Sequence, residues 1–290
     1  MSNLDQSIMR GTGLLIIEVI NSNPNGDPDR ESDPRQRPDG RGEISPVSFK
    51  RKLRDLLEWD EEKKIKGGPV WESLRKKFAL KDSEFEILES RGRDREAIKK
   101  ELKNGTFKNK YWDARVFGNT FLEAESSSSV KTGVVHFGLG LSVAPIEIER
   151  HTNTNKAGVQ EGLDRGMAPM GYRFVPHGIY AMPFFVNPSA AHKTGCTKPD
   201  IDLLLSMIPY AYSHNRSYVR PNVEILHAWY IEHKSPLGSC SDYKLIEALN
   251  PKKIVEPDKP SKSRAEYEIP TGLPEDLKGK IAKINDLMEP

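Results

Sequence analysis

The apolar positions of this chain follow two kinds of pattern, and the first kind predicts strands. Residues 13–20 are apolar at every position except Glu18 and are followed by turn-forming residues, which is typical of a strand buried on both faces. Other apolar or alternating stretches predict further strands over 134–148, 174–186 and 223–233.

The second pattern has the spacing of amphipathic helices. Ser45 suits an N-cap and Pro46 the first helical position, so a helix is predicted to begin there. Its apolar stripe consists of Phe49, Leu53, Leu56 and Leu57. A second helix is predicted over 197–212, where Thr197 and Asp200 have the spacing of a capping box, and a short one over 274–288.

Two polar loops and a charged insertion separate these elements. Residues 21–42 contain no hydrophobic side chain and residues 150–171 have no sustained period, so both are predicted to be long loops. Residues 60–112 are charged and helix-prone, which predicts a mostly helical insertion. The remaining order, β-α-β-β-α-β, predicts one α+β domain over residues 1–290 with the ferredoxin-like arrangement of RNA-recognition domains. Residues 251–290 form a C-terminal extension of it.

Composition narrows the class of protein. The 290 residues carry 44 Lys and Arg against 42 Asp and Glu, a formal net charge of +2, with only two cysteines. The chain has no apolar run of membrane-spanning length and no signal-peptide pattern, so we expect a cytoplasmic protein with no membrane partner. Phosphate-binding, zinc-protease and esterase motifs are missing and the seven histidines are scattered, so we expect no cofactor and no metal.

Cations are concentrated in the first half of the chain. Residues 50–115 hold 20 Lys and Arg against 14 Asp and Glu, and Lys50, Arg51 and Arg54 lie off the apolar stripe. Such cations at the start of a helix can hold phosphates, although a solvated helix surface explains the same charges. The acidic residues of the first loop can hold a divalent cation, but the arginines between them favour a solvated loop. These acidic residues are Asp27, Asp29, Glu31 and Asp33.

Several motifs together resemble a known family. Residues 23–29 (NPNGDPD), 49–55 (FKRKLRD) and 113–118 (DARVFG) are similar to the Cas-seven family of the RAMP superfamily, the backbone subunit of the CRISPR Cascade complex. Residues 175–180 (VPHGIY), 187–191 (NPSAA) and 215–217 (NRS) extend the resemblance.

The resemblance implies an RNA-recognition-type palm with helical fingers at 60–112 and a thumb loop at 150–172. It also implies a non-catalytic, crRNA-binding subunit of a type I CRISPR effector complex in antiviral defence. Copies of the subunit polymerise along the CRISPR RNA, contact other Cascade subunits and present the guide for pairing with target DNA.

The implied RNA contacts combine the matched motifs with nearby cations. Because Lys50 and Arg54 lie off the stripe, we expect them to pair with phosphate and to be dispensable for the core. For Arg115 there is an alternative to RNA contact, in which Asp113 orients its side chain and Arg115 has a structural role. The expected RNA-binding residues are Asn23, Asn25, Gly26, Arg35, Lys50, Arg51, Arg54, Arg115, Arg173 and Arg216.

Two other functions stay open. Related RAMP subunits cleave bound RNA with an aspartate that follows the first strand, so Asp27 or Asp29 would serve an RNA-guided ribonuclease that cleaves target RNA. The other alternative is a structural or interaction protein whose basic helix has no RNA partner.

Overall fold

The computed structural model describes residues 7–60, 65–90, 94–119, 132–155 and 168–289. Its strands are β1 (Gly11–Ser22), β2 (Arg41–Ile44), β3 (Trp59–Asp60), β4 (Ile65–Lys66), β5 (Val135–Phe137), β6 (Gly140–Pro145), β7 (Glu149–Asn155), β8 (Ala168–Val186), β9 (Val223–His233), β10 (Lys252–Lys253), β11 (Tyr267–Glu268) and β12 (Ile281–Asp286). Its α-helices are α1 (Pro46–Asp55), α2 (Pro69–Phe78), α3 (Arg95–Lys103), α4 (Phe107–Lys110), α5 (Trp112–Phe117), α6 (Ala191–Thr194), α7 (Lys198–Met207), α8 (Asp242–Leu249) and α9 (Glu275–Lys278).

An eight-stranded antiparallel sheet forms the centre of the fold. Its strands lie in the order β12-β9-β1-β8-β6-β2, and β5 and β7 also pair with β8. The apolar strand β1 lies between β8 and β9, where Ile17 is opposite Tyr180 on one side and Ile225 on the other. The α+β class predicted from the sequence is confirmed.

One face of the sheet is covered by α1 and α7. Ser45 Oγ accepts a hydrogen bond from Ser48 N at 3.2 Å, so α1 begins at its predicted cap. Phe49 and Leu53 are fully buried, and the Phe49 ring centroid lies 5.0 Å from that of Phe137. Burial of each such side chain contributes about 1.5–3 kcal/mol, which fixes α1 against the sheet. The capping box predicted for α7 is also present.

The opposite face is covered by the C-terminal part of the chain. Leu14 and Ile16 of β1 belong to one apolar cluster with Leu245 and Leu249 of α8 and with Tyr267 of β11. The centre of this face is therefore closed to any macromolecule.

The C-terminal extension also supplies an edge strand, where a helix was predicted. Helix α9 ends at Gly279, and residues 281–286 then pair with β9 as β12. The helix prediction is therefore wrong for residues 281–286. It relied on the spacing of Ile281 and Ile284, which resembles the spacing along one face of a helix. The register of β12 shifts between Ile281 and Lys283, and such a bulge breaks the usual alternation of a strand.

The insertion at 60–112 is mostly helical in its described part, as predicted. The short hairpin of β3 and β4 leads into α2, α3 and α4. Five buried residues of the insertion form a small core together with Ala114 of α5, namely Leu88, Ile98, Leu102, Phe107 and Tyr111. Among the described helices none is both long and apolar enough to cross a membrane.

The segment predicted as a long loop over 150–172 is a β-ribbon in its described part. Strand β7 pairs with the first half of β8, from Glu149 opposite Phe174 to Asn155 opposite Ala168. Residues 156–167 lie outside the described residues. The loop prediction is wrong for 150–155 and 168–172, because a ribbon held by its backbone ladder does not require an apolar face.

Candidate nucleic-acid interface

The polar loop, residues 23–40, is ordered by its own side-chain amides. Asn23 Nδ2 donates to the Ser32 carbonyl at 2.8 Å, and Asn25 Oδ1 accepts from Ser45 N, also at 2.8 Å. The second bond ties the loop to the first turn of α1. Both asparagines therefore hold the loop in shape, and their contact with RNA stays a prediction.

Gly26 lies where the polar loop folds back on itself. It forms a β-bridge with Pro34, and a Cβ atom at this position would lie 3.2 Å from the Ser32 carbonyl oxygen. A side chain here would push the two arms of the loop apart, so glycine at position 26 has a packing reason.

Two acidic residues of the polar loop, Asp27 and Asp33, are engaged within the fold. Asp27 Oδ1 accepts from Asp29 N at 3.2 Å and caps a short 3-10 turn. Asp33 Oδ1 accepts from Arg150 Nε at 3.1 Å, and this bond is the main reason why the pKa of Asp33 lies below its ordinary value. Within the described ranges no group of three or more His, Cys, Asp and Glu side chains is arranged to hold a metal ion.

Lys50 is half-buried on α1. Its Nζ lies 5.1 Å from the centre of the Phe117 ring. Burial and then the charge of Arg54 lower the pKa of Lys50, and neither cause is a carboxylate. An anion that approached Lys50 would favour its charged form, which fits the predicted phosphate contact.

Arg54 is turned inward, contrary to the expectation that it lies outside the core. Its Nε donates to Asp113 Oδ2 at 2.8 Å, and the two side chains are only 10% and 1% exposed. Its guanidinium also lies over the Phe117 ring. The prediction that Arg54 is dispensable for the core is wrong, because α5 packs against this side of α1 and buries the Arg54 side chain.

Arg51 is also held by the protein. Its Nε donates to Asp55 Oδ1 at 2.6 Å, Nη1 donates to the Glu89 carbonyl at 2.7 Å, and Nη2 pairs with Glu58. Arg51 therefore connects α1 to the middle of the insertion, at Glu89.

Arg115 forms a second buried ion pair. Its Nη2 lies 2.7 Å from Asp200 Oδ1, and its Nε donates to Asp200 Oδ2 at 3.2 Å. Nη2 also donates to the Glu84 carbonyl, and Nη1 donates to the carbonyls of Lys108 and Asn109. The alternative in which Asp113 orients Arg115 is wrong, because Asp200 of α7 takes that role. This arrangement locks α5 to α7 and leaves Arg115 turned away from solvent.

The remaining predicted cations form ion pairs near the surface. Arg35 Nη1 lies 3.3 Å from Glu43 Oε1, and Arg216 Nη2 lies 3.3 Å from Glu224 Oε1. Arg173 of the ribbon pairs with Glu31 of the polar loop. Exposed pairs of this kind contribute about 0–1 kcal/mol, so a phosphate can replace the carboxylate at low cost.

Two arginines that the sequence analysis did not single out connect these segments. Arg150 of the ribbon holds Asp33, and Arg220 Nε donates to the Asn23 carbonyl at 2.9 Å. The polar loop, the ribbon and residues 215–222 are thus joined by direct contacts. Arg150 stands in the stretch that was taken for a loop, and no motif in the sequence marks Arg220.

The predicted residues consequently fall into three groups. Asn23, Asn25, Gly26 and Arg35 lie in the polar loop, and Arg173 and Arg216 lie on segments that contact it. Lys50 lies on α1, whose start the loop holds. Arg51, Arg54 and Arg115 are bound within the protein and support the frame.

A model of a known protein family matches most of the chain. The family model for CRISPR-associated protein Cas7 matches residues 9–272. No curated protein matches the chain significantly.

Solved structures resemble the chain at low sequence identity. A chain of a CRISPR RNA-guided surveillance complex in a pre-nicking state has a TM-score of 0.48 and 14% identity, over 77% of this chain and 78% of that chain. A second CRISPR RNA-guided surveillance complex has a TM-score of 0.39 and 16% identity, over 76% and 69% of the two chains. A type III-B Cmr-beta complex bound to cognate target RNA has a TM-score of 0.40 and 12% identity, over 77% and 61%.

The family match covers the polar loop, α1, the ribbon and β9, and so includes every segment that forms the candidate interface. On this evidence the chain belongs to the CRISPR-associated protein Cas7 family, the Cas-seven family that its motifs resemble.

Proposed function

We propose that this protein binds CRISPR RNA as the backbone subunit of a type I effector complex and has no catalytic role. In this proposal copies of the chain polymerise along the guide, contact the other Cascade subunits and present the guide for pairing with target DNA. Family membership supports an assignment to CRISPR effectors. The observation that carries the RNA-binding part is the junction of the polar loop, the ribbon and residues 215–222, which gathers exposed arginines from three segments.

The topology supports a palm of the RNA-recognition type. The order β1-α1-β6-β8-α7-β9 along the chain, with β9-β1-β8-β6 as neighbours in the sheet, is the ferredoxin-like arrangement. The insertion at 60–112 corresponds to the fingers, and the ribbon at 150–172 to the thumb.

The covered sheet face leaves no room for RNA at the centre of the sheet. Ordinary RNA-recognition domains stack bases on the open face of their sheet, but here α8 and the following segment pack on the centre of that face. The proposal therefore assigns the RNA to the loops at the edge of the fold, where phosphate contacts dominate.

The test measures binding of the purified full-length chain to single-stranded RNAs of equal length and different sequence, over a series of salt concentrations. Phosphate contacts predict a log-log salt slope of about −0.7 per contact and similar affinities for all sequences. Co-expression with a guide and the other complex subunits should give a large particle in size-exclusion chromatography with a nucleic-acid absorbance. A monomer without RNA under those conditions, or strong preference for one sequence, would contradict the proposal.

A further inference from the structure

Aromatic rings form a ladder at the base of the ribbon. The His151 ring packs edge-on against Phe174 with 5.0 Å between centroids, and Tyr172 stacks on Phe174 at 4.9 Å and 28°. Tyr218 follows at 5.5 Å from Tyr172. Phe174 is buried whereas Tyr218 is 58% exposed, so the ladder runs from the core to an open ring.

The exposed end of the ladder is held in place by hydrogen bonds. Tyr172 Oη donates to the Asn21 carbonyl at 2.6 Å. On the other side of the ring, a turn between Ser217 and Arg220 encloses Tyr218, and the Val219 carbonyl accepts from Asn23 N at 2.7 Å. The backbone on both sides of Tyr218 is thus fixed before any ligand arrives, which lowers the entropy cost of binding to it.

Two arginines lie close in the sequence to the exposed end of the ladder. Arg216 precedes Tyr218 by two residues and makes an exposed ion pair with Glu224, and Arg173 follows Tyr172 in β8. An exposed aromatic ring beside exchangeable cations matches a nucleotide, whose base stacks on the ring while its phosphate meets the guanidinium. The covered sheet face does not supply such a surface at its centre.

We infer that Tyr218 forms a base-stacking site for single-stranded RNA, in which one nucleobase lies on its exposed ring and Arg216 binds the adjoining phosphate. This inference rests on the proposed function, which makes RNA the ligand. Stacking is tolerant of base identity, because every base has a π-face, so the site adds affinity without a sequence preference.

The experiment compares full-length variants on two RNA probes. The first probe is an unstructured single-stranded RNA, and the second has the same length but carries abasic residues throughout. Tyr218→Leu removes the ring, Tyr218→Phe keeps it, and Tyr243→Leu removes a tyrosine that is 70% exposed on α8 and serves as the matched control.

We expect Tyr218→Leu to weaken binding of intact RNA about tenfold and to leave binding of abasic RNA unchanged. Tyr218→Phe and Tyr243→Leu should bind intact RNA as the wild type does. Equal affinity of Tyr218→Leu and wild type for intact RNA, or an equal loss on both probes, would overturn the stacking site alone. A wild-type protein that binds neither probe would instead overturn the proposed function.

A second measurement does not depend on the folding of a variant. Wild-type protein is irradiated with RNA that contains 4-thiouridine, and the crosslinked peptides are mapped. A crosslink at Tyr218 supports the site, and crosslinks confined to other segments contradict it. Binding of a protein partner at this surface, with no crosslink to RNA, would also contradict it.

Discussion

Replacing Arg54 with alanine removes one half of a buried ion pair. The partner, Asp113, has a side chain that is 1% exposed, and it also accepts from the backbone N–H groups of Leu88 at 2.7 Å and Glu89 at 3.2 Å. In the variant the buried Asp113 carboxylate would keep these two neutral backbone donors but would lose its positively charged partner.

The expected cost follows from this geometry. Breaking a buried pair by removing one partner costs about 3–5 kcal/mol. The two remaining hydrogen bonds place Arg54→Ala near the lower end, and loss of the contact between Arg54 and Phe117 adds about 0.5–1 kcal/mol. We therefore expect the free energy of unfolding to fall by about 3–4 kcal/mol.

Urea titration followed by tryptophan fluorescence measures this loss. Arg51→Ala is the matched control on the same helix, because its ion pairs are more exposed and should contribute about 1 kcal/mol or less. In a double-mutant cycle with Asp113→Asn the two losses should be strongly non-additive. A loss below about 1 kcal/mol for Arg54→Ala, together with a collapse of RNA affinity, would refute the reasoning and return Arg54 to the RNA surface.

Three other predictions concern the interface and the response to pH. Lys50→Met keeps the length of the side chain, so it should change the unfolding free energy by at most about 0.5 kcal/mol and weaken RNA binding by about 1.5–3 kcal/mol in a filter-binding assay. Because phosphate favours charged Lys50, whose pKa lies below 10.5, wild-type affinity should fall as the pH rises through that pKa, and the Lys50→Met variant should lack this part of the loss. Asp27→Ala should leave a guide-paired target RNA as intact as the wild type does with Mg²⁺ present, whereas metal-dependent cleavage that the substitution abolishes would support the ribonuclease alternative. Burial lowers the pKa of His177 and His233 below 6.5, so the unfolded state binds protons more readily and the unfolding free energy should fall as the pH drops below about 6.5. Urea titrations should show a weaker acid dependence for His177→Gln than for the wild type.

The sequence predicted the elements whose signals are local. Ser45 and the stripe from Phe49 onward located α1, and the Thr197 capping box located the start of α7. The last long strand was predicted at the bounds observed for β9, residues 223–233. In each case the cap or the apolar face lies within the element itself, so tertiary contacts were not needed to find it.

The failures arise where distant residues decide the structure. The carboxylates that pair with the buried side chains of Arg54 and Arg115 lie 59 and 85 residues further along the chain, so an apolar stripe alone cannot reveal them. The ribbon was missed because its pairing depends on backbone hydrogen bonds, and β12 was missed because a free sheet edge recruited it. The sequence predicts the RNA-binding residues as separate positions, namely Asn23, Asn25, Gly26 and seven cations. Contacts through Arg150 and Arg220 decide which of their segments lie together.

The C-terminal cover of the sheet has a consequence for the order of synthesis. Leu14, Ile16 and Trp229 remain open to water until α8 and the residues that follow it have been made, and the edge of β9 stays unpaired until residue 286. A nascent or truncated chain therefore exposes an apolar face and a strand edge, which are the features that promote aggregation and chaperone capture. A chain translated through residue 286 can bury the apolar face and pair the edge of β9, so both features are lost together when the C-terminal part folds.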